Sequence, residues 1–126
     1  MFSLRGLTLF LYLFAAVAVV AGAATVVLGS ESIPSAGDLN ANVESELRFY
    51  SVWWIGAGAF LAWLAPRVGE LTRELRMFCG LLFLAATSRL FAVLETDWPS
   101  AGQIALMGTE FALAVGLVAW QARVTR

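Results

Sequence analysis

Four apolar stretches, Leu7–Gly29, Phe49–Ala65, Met77–Leu94 and Ile104–Trp120, occupy most of this 126-residue chain. Each approaches the ~20 residues that an α-helix needs to cross the hydrocarbon core of a bilayer. A backbone in hydrocarbon has no water to bond to, so a spanning segment must satisfy its own N–H and C=O groups, and short apolar runs of this kind do so as helices. The remaining segments, Ser30–Arg48, Pro66–Arg76 and Glu95–Gln103, are too short for a soluble domain and make sequential helices antiparallel neighbours. The pattern predicts an all-α polytopic membrane protein: an up-down-up-down four-transmembrane-helix bundle forming a single domain over residues 1–126.

Composition agrees and removes several functional classes. The chain is 60% hydrophobic and only 13% charged, with a mean hydropathy of +0.81, whereas a soluble domain carries about 25% charge. A net charge of −1 supplies no basic field for nucleic acid. The absence of His and the single Cys, Cys79, remove Ser-His-Asp and Cys-His catalysis, His-ligated metal or haem, and any internal disulfide. No cofactor or metal is expected. Two carboxylates, Glu46 and Glu110, could in principle hold a hard cation, but Arg48 and Arg89 would repel it. Gly56-Ala57-Gly58 lacks the Lys-Ser/Thr that follows a phosphate-binding loop. All eight basic residues are Arg and Ala is abundant, a weak sign of a GC-rich bacterial genome.

Leu7–Gly29 also has features of a secretory signal, with Arg5 before the apolar run and Ala21-Gly22-Ala23 as a cleavage-like site. Its length exceeds the ~7–15 residues of a signal core, which favours a retained first span. Small residues that allow close approach of helices in lipid form candidate contact stripes: Ala18-x-x-x-Gly22, Gly56 with Gly58, Ala85-Ala86, and Gly108-x-x-x-Ala112-x-x-x-Gly116. Phe49, Tyr50, Trp53 and Trp54 are expected to face lipid or core, not a cofactor.

Two ionisable residues, Arg89 and Glu110, fall inside spans. A charge at a helix centre costs roughly 2.5–3.5 kcal/mol on insertion scales, so it faces a protein interior and pairs. With helix three running outward and helix four inward, a rise of about 1.5 Å per residue puts Arg89 roughly 7–8 Å and Glu110 roughly 10 Å below the outer boundary. They are level, and a pair between them could be structural or part of a ligand site. Glu46 and Arg48 stand at the outer mouth of helix two, on different helix faces. A local explanation also exists for them: Asn42 as a cap, Glu44 and Glu46 at the positive end of the helix dipole, and Glu44 paired with Arg48 at i,i+4.

The segment Glu46-Leu47-Arg48-Phe49-Tyr50 leading into Trp54-Ile55-Gly56, together with Ser88-Arg89-Leu90 and Glu110, resembles the family catalogued as domain of unknown function 4345, small bacterial four-helix membrane proteins. The resemblance covers helices two to four. It implies a four-span bundle and these polar positions, and it brings no established activity.

The leading functional expectation is a non-enzymatic integral membrane protein of the bacterial inner membrane, an accessory subunit or a binder of a small amphipathic ligand, with Glu46, Arg48, Arg89 and Glu110 as an outer-leaflet polar cluster. Its partners would be the lipid bilayer and a small amphipathic ligand or another membrane protein. A small proton-coupled transporter using Glu110 is an alternative, although no charge lies between Leu7 and Gly29, where small multidrug exporters carry their essential carboxylate. A lipid-modifying enzyme would have to work through carboxylate acid–base chemistry at Glu110 or Glu46.

Six of the eight Arg, Arg5, Arg67, Arg73, Arg76, Arg123 and Arg126, lie at the termini or between helices two and three. The positive-inside rule therefore makes both termini cytoplasmic. In a Cys79-free background, single cysteines near Ser35 and Ser100 should react with an impermeant thiol reagent from outside the cell, and one near Gly69 only after permeabilisation; the reverse pattern would invert the orientation.

Overall fold

The computed structural model describes residues 2–34 and 36–126; the labelling position Ser35 lies outside the described residues. The chain is all-α. Four helices, α1 (Leu4–Leu28), α2 (Ala41–Leu64), α3 (Thr72–Glu95) and α4 (Ala101–Val124), are joined by connections that include 3-10 turns at Gly29–Ser32 and Ala65–Arg67. All four are long and apolar enough to cross a membrane. At 24 or 25 residues each, they run about 36 Å, longer than the ~30 Å hydrocarbon core.

The helices extend beyond the apolar stretches because hydropathy marks the part suited to hydrocarbon, whereas caps mark where the hydrogen-bond ladder starts. In α2 the cap is Asn40, not Asn42: the Asn40 side chain accepts from the N–H groups of Asn42 and Val43 at 3.1 and 3.0 Å. The helix therefore takes in the polar turn Ala41–Arg48 ahead of the apolar run. In α4 the Ser100 hydroxyl accepts from Gln103 N–H at 3.4 Å. These contacts satisfy N–H groups that have no partner within the helix.

The chain divides into two compact units. One comprises Thr8–Pro66 and is the α1–α2 hairpin. Its close approach depends on two glycines. A Cβ at Gly58 would lie 2.6 Å from the Ala15 carbonyl oxygen and 2.5 Å from a Val19 methyl, and a Cβ at Gly22 would lie 2.8 Å from the Ser51 carbonyl oxygen. With no hydrophobic drive between helices in lipid, such backbone proximity is a main source of association. Ser51, facing this interface, is buried, and its hydroxyl bonds back to the Leu47 carbonyl at 2.6 Å.

The second unit comprises residues 1–7 and 67–126 and is built on the α3–α4 hairpin. The positions Leu75, Cys79, Leu82, Ala86, Arg89 and Val93 on α3 recur at alternating intervals of four and three residues, as do Gln103, Met107, Glu110, Ala114, Leu117 and Gln121 on α4. Most are buried. This is the seam spacing of helices packed nearly antiparallel with interdigitating side chains. At the end away from the α3–α4 turn, the Gln121 amide donates to the Val68 carbonyl at 2.7 Å, and Phe2 meets Trp120 edge-on with ring centroids 5.7 Å apart.

The small-residue stripe expected on helix four lies off the α3–α4 seam. Gly108, Ala112 and Gly116 are exposed, and a Cβ at Gly108, Gly116 or Gly56 would meet no described residue within 4 Å. The 4-3 seam runs along a different face of α4, which is why small-residue spacing alone misassigned it. Gly58→Leu should therefore destabilise the purified protein by about 2 kcal/mol or more through overpacking, while Gly108→Ala should be neutral or stabilising by up to ~1 kcal/mol through helix propensity. Thermal unfolding of both variants in one detergent checks the contrast.

Candidate functional site

Arg89 and Glu110 meet across the α3–α4 seam because each occupies a seam position that the 4-3 spacing turns toward the other helix. The Arg89 guanidinium donates through Nε to Glu110 Oε2 at 2.9 Å and through Nη2 to Glu110 Oε1 at 3.2 Å. This is the bidentate fork that a planar guanidinium makes with a carboxylate. A third bond runs from Nη1 to Gln103 Oε1 at 2.9 Å. Gln103 lies seven residues before Glu110, two helical turns along the same α4 face, so α4 offers two acceptors in line to one residue of α3.

The two charges are unequally covered. The Glu110 side chain is 4% exposed, whereas that of Arg89 is 34% exposed. The carboxylate is therefore enclosed with both oxygens committed, while the guanidinium forms part of a wall. That wall belongs to a cleft of about 150 Å³ lined by Arg89, Ala92, Val93, Gln103, Ile104 and Met107, with Pro99 at the turn end. Apart from Arg89 and Gln103 its lining is apolar. As arranged, Glu110 anchors the guanidinium and holds its plane fixed.

Arg48 has a different environment. It donates to the Val26 and Val27 carbonyls at 2.8 and 3.2 Å, oxygens in the last turn of α1 that lack helical partners. Its Nε and Nη2 contact Glu44 Oε1 at 3.3 and 3.2 Å, the i,i+4 pair. Glu44 in turn accepts from Ser30 N–H at 3.1 Å. Gly29 makes this possible by taking φ +61° between the two, a conformation that ends helices and favours glycine. Ser32 Oγ donates to the Gly29 carbonyl at 2.8 Å and shares a 2.8 Å hydrogen bond with Thr25 Oγ1, which completes the corner. Arg48 and Glu44 thus close the end of α1.

Glu46 is exposed and its side chain makes no hydrogen bond or ion pair with the described residues. Of the four residues singled out in the sequence, the structure joins Arg89 with Glu110, joins Arg48 with Glu44, and leaves Glu46 at the surface. Gln103 and Gln121 were missed because neutral amides give no charge signal. The 4-3 spacing that places Arg89 and Glu110 in the seam also includes both glutamines and could have found them.

Removing one member of the Arg89–Glu110 pair leaves a charge without its partner, a change that typically costs about 3–5 kcal/mol in a buried site, whereas removing both can be nearly neutral. Arg89→Leu and Glu110→Leu should each lower the thermal stability of the detergent-solubilised protein markedly, and the double variant should recover much of the loss. Additive losses would show that the two residues act independently.

No curated protein and no solved structure matches the chain. A family model does: it aligns with residues 6–121, nearly the whole sequence and hence all four helices together with the α1 corner and the Arg89–Glu110–Gln103 group. The chain belongs to the family described as domain of unknown function (DUF4345).

Proposed function

We propose that this protein is a non-enzymatic, multi-pass protein of the bacterial inner membrane that binds a small amphipathic ligand at the α3–α4 cleft, with both termini cytoplasmic and the cleft in the outer half of the bilayer. One observation carries this reading. The Arg89 guanidinium is immobilised by the three hydrogen bonds it donates to two α4 side chains, yet a third of its side chain remains exposed at an otherwise apolar cleft. A pair held rigid beside apolar lining offers a fixed polar contact within a surface suited to an alkyl chain. Sites of this type occur between helices of bundles, and intramembrane charges commonly mark such places. The distribution of Arg supports the orientation, and the roles of the remaining polar residues fit: Arg48 and Glu44 hold the α1 corner, and Glu46 stands at the surface.

The test uses the full-length protein, extracted gently from the membranes in which it was made. Solvent extraction and mass spectrometry of the wild type should reveal a small amphipathic compound close to one copy per chain. The Arg89→Leu/Glu110→Leu double variant, verified as folded, should lose that compound by at least about tenfold, as expected when more than ~1.4 kcal/mol of binding is removed. Equal amounts in both preparations, or no such compound in the wild type, would overturn the reading.

A further inference from the structure

We infer that the α3–α4 cleft selects an uncharged hydrogen-bond acceptor, such as an ester, amide or ketone carbonyl, carried on an apolar chain, and discriminates against an anionic head group. The inference rests on the proposed ligand-binding role and adds the chemical class of what is bound.

The argument is an inventory of donors, acceptors and charge. An arginine side chain has five N–H groups and no acceptor. Three of those on Arg89 are used, two on Glu110 and one on Gln103. One N–H on each terminal nitrogen therefore remains. The orientation of the Gln103 amide follows from the same chemistry: because Arg89 can only donate, the oxygen Oε1 must face it, and the Gln103 Nε2 group is left with two more N–H donors. The described residues supply no partner for Nε2.

The acceptor side of the group is mostly committed. Both Glu110 oxygens are bonded to Arg89 and the carboxylate is almost fully covered. The polar side chains that line the cleft, Arg89 and Gln103, thus have four N–H groups to spare, against which the Gln103 oxygen keeps one lone pair beyond its bond to Arg89. The site is therefore richer in donors than in acceptors.

Charge then separates neutral acceptors from anions. Arg89 is already neutralised by Glu110, so the site has no net positive charge to offset the cost of moving an anion out of water, and an incoming carboxylate would approach Glu110 as a like charge in a setting of low dielectric. A neutral carbonyl meets the same donors without either cost. The cleft, at about 150 Å³, is smaller than the roughly 300–1,000 Å³ of sites that enclose a whole drug-sized ligand. It suits a head group and the first carbons of a chain. The lining residues Ala92, Val93, Ile104 and Met107 give that chain an apolar path.

The experiment compares three photoreactive probes bearing the same diazirine-labelled long acyl chain, applied to the full-length protein in nanodiscs: the methyl ester, the free carboxylate at alkaline pH where it is ionised, and the phosphatidylcholine. Cross-links are mapped by peptide mass spectrometry. The ester should label the segment around Ile104 and Met107 at least about tenfold more strongly than the carboxylate. Gln103→Leu, which leaves the Arg89–Glu110 fork in place, should reduce ester labelling by about fivefold, the effect of losing one hydrogen bond. Ala92→Trp, at an exposed position that needs no repacking, should block the cleft and set the background.

Labelling by phosphatidylcholine as strong as by the ester would identify the bound carbonyl as that of a bilayer lipid; labelling by the ester alone would identify a free amphipathic compound, and both agree with the inference. Carboxylate labelling equal to or above that of the ester would overturn the preference for a neutral acceptor while leaving a ligand site in place. Labelling by no probe above the Ala92→Trp background would overturn the ligand site itself, and the inference with it.

Discussion

A polar group placed in the spans of this protein has to find its partner within the protein or in something bound to it, because hydrocarbon offers none. The helices themselves are the first response to that constraint. The corner after α1 is the second: the last carbonyls of a helix have no intrahelical donor, and here the Arg48 guanidinium reaches Val26 and Val27 while Glu44 bonds the Ser30 N–H. One ion pair on the first turns of α2 thereby completes the hydrogen bonding of the helix before it. The positive φ of Gly29 serves the same purpose by bringing the chain out of α1 in a direction that leaves its carbonyls reachable.

The Arg89–Glu110–Gln103 group is the third response, and it has chemical consequences that the corner does not. The seam spacing rotates all three residues to the α3–α4 interface, so that the cost of two intramembrane charges is offset by a bidentate fork and an additional amide contact. The coverage is asymmetric, with the carboxylate inside and the guanidinium at the wall of an apolar cleft. An enclosed anion holding a partly exposed cation is a positioning device: it fixes where the remaining N–H groups lie and lowers the net charge they present. Both the ligand-binding proposal and the preference for a neutral acceptor follow from that geometry.

Close helix contact follows a similar economy. Gly22 and Gly58 face backbone and side-chain atoms of the neighbouring helix in the α1–α2 hairpin, where the gain comes from dispersion between surfaces that only glycine allows to approach. In the α3–α4 hairpin the seam carries leucines and polar pairs, and the glycines of α4 lie on an exposed face. The same residue type thus has two roles in one chain.

Much of the architecture was legible in the amino-acid sequence. The number and type of the helices follow from apolar length, since the demand that hydrocarbon makes on the backbone acts on each segment by itself. The pairing of Arg89 with Glu110 was legible too, because depth along a helix can be counted in residues once the direction of each span is known. What only the tertiary structure decided is rotation about the helix axes. It turned Arg48 to the end of α1, left Glu46 at the surface, brought Gln103 to Arg89, and turned Gly108 and Gly116 away from the seam. A residue's height is fixed by the covalent chain and the helical rise, but its facing depends on how two complete helix surfaces fit together, and that fit is a property of no single segment.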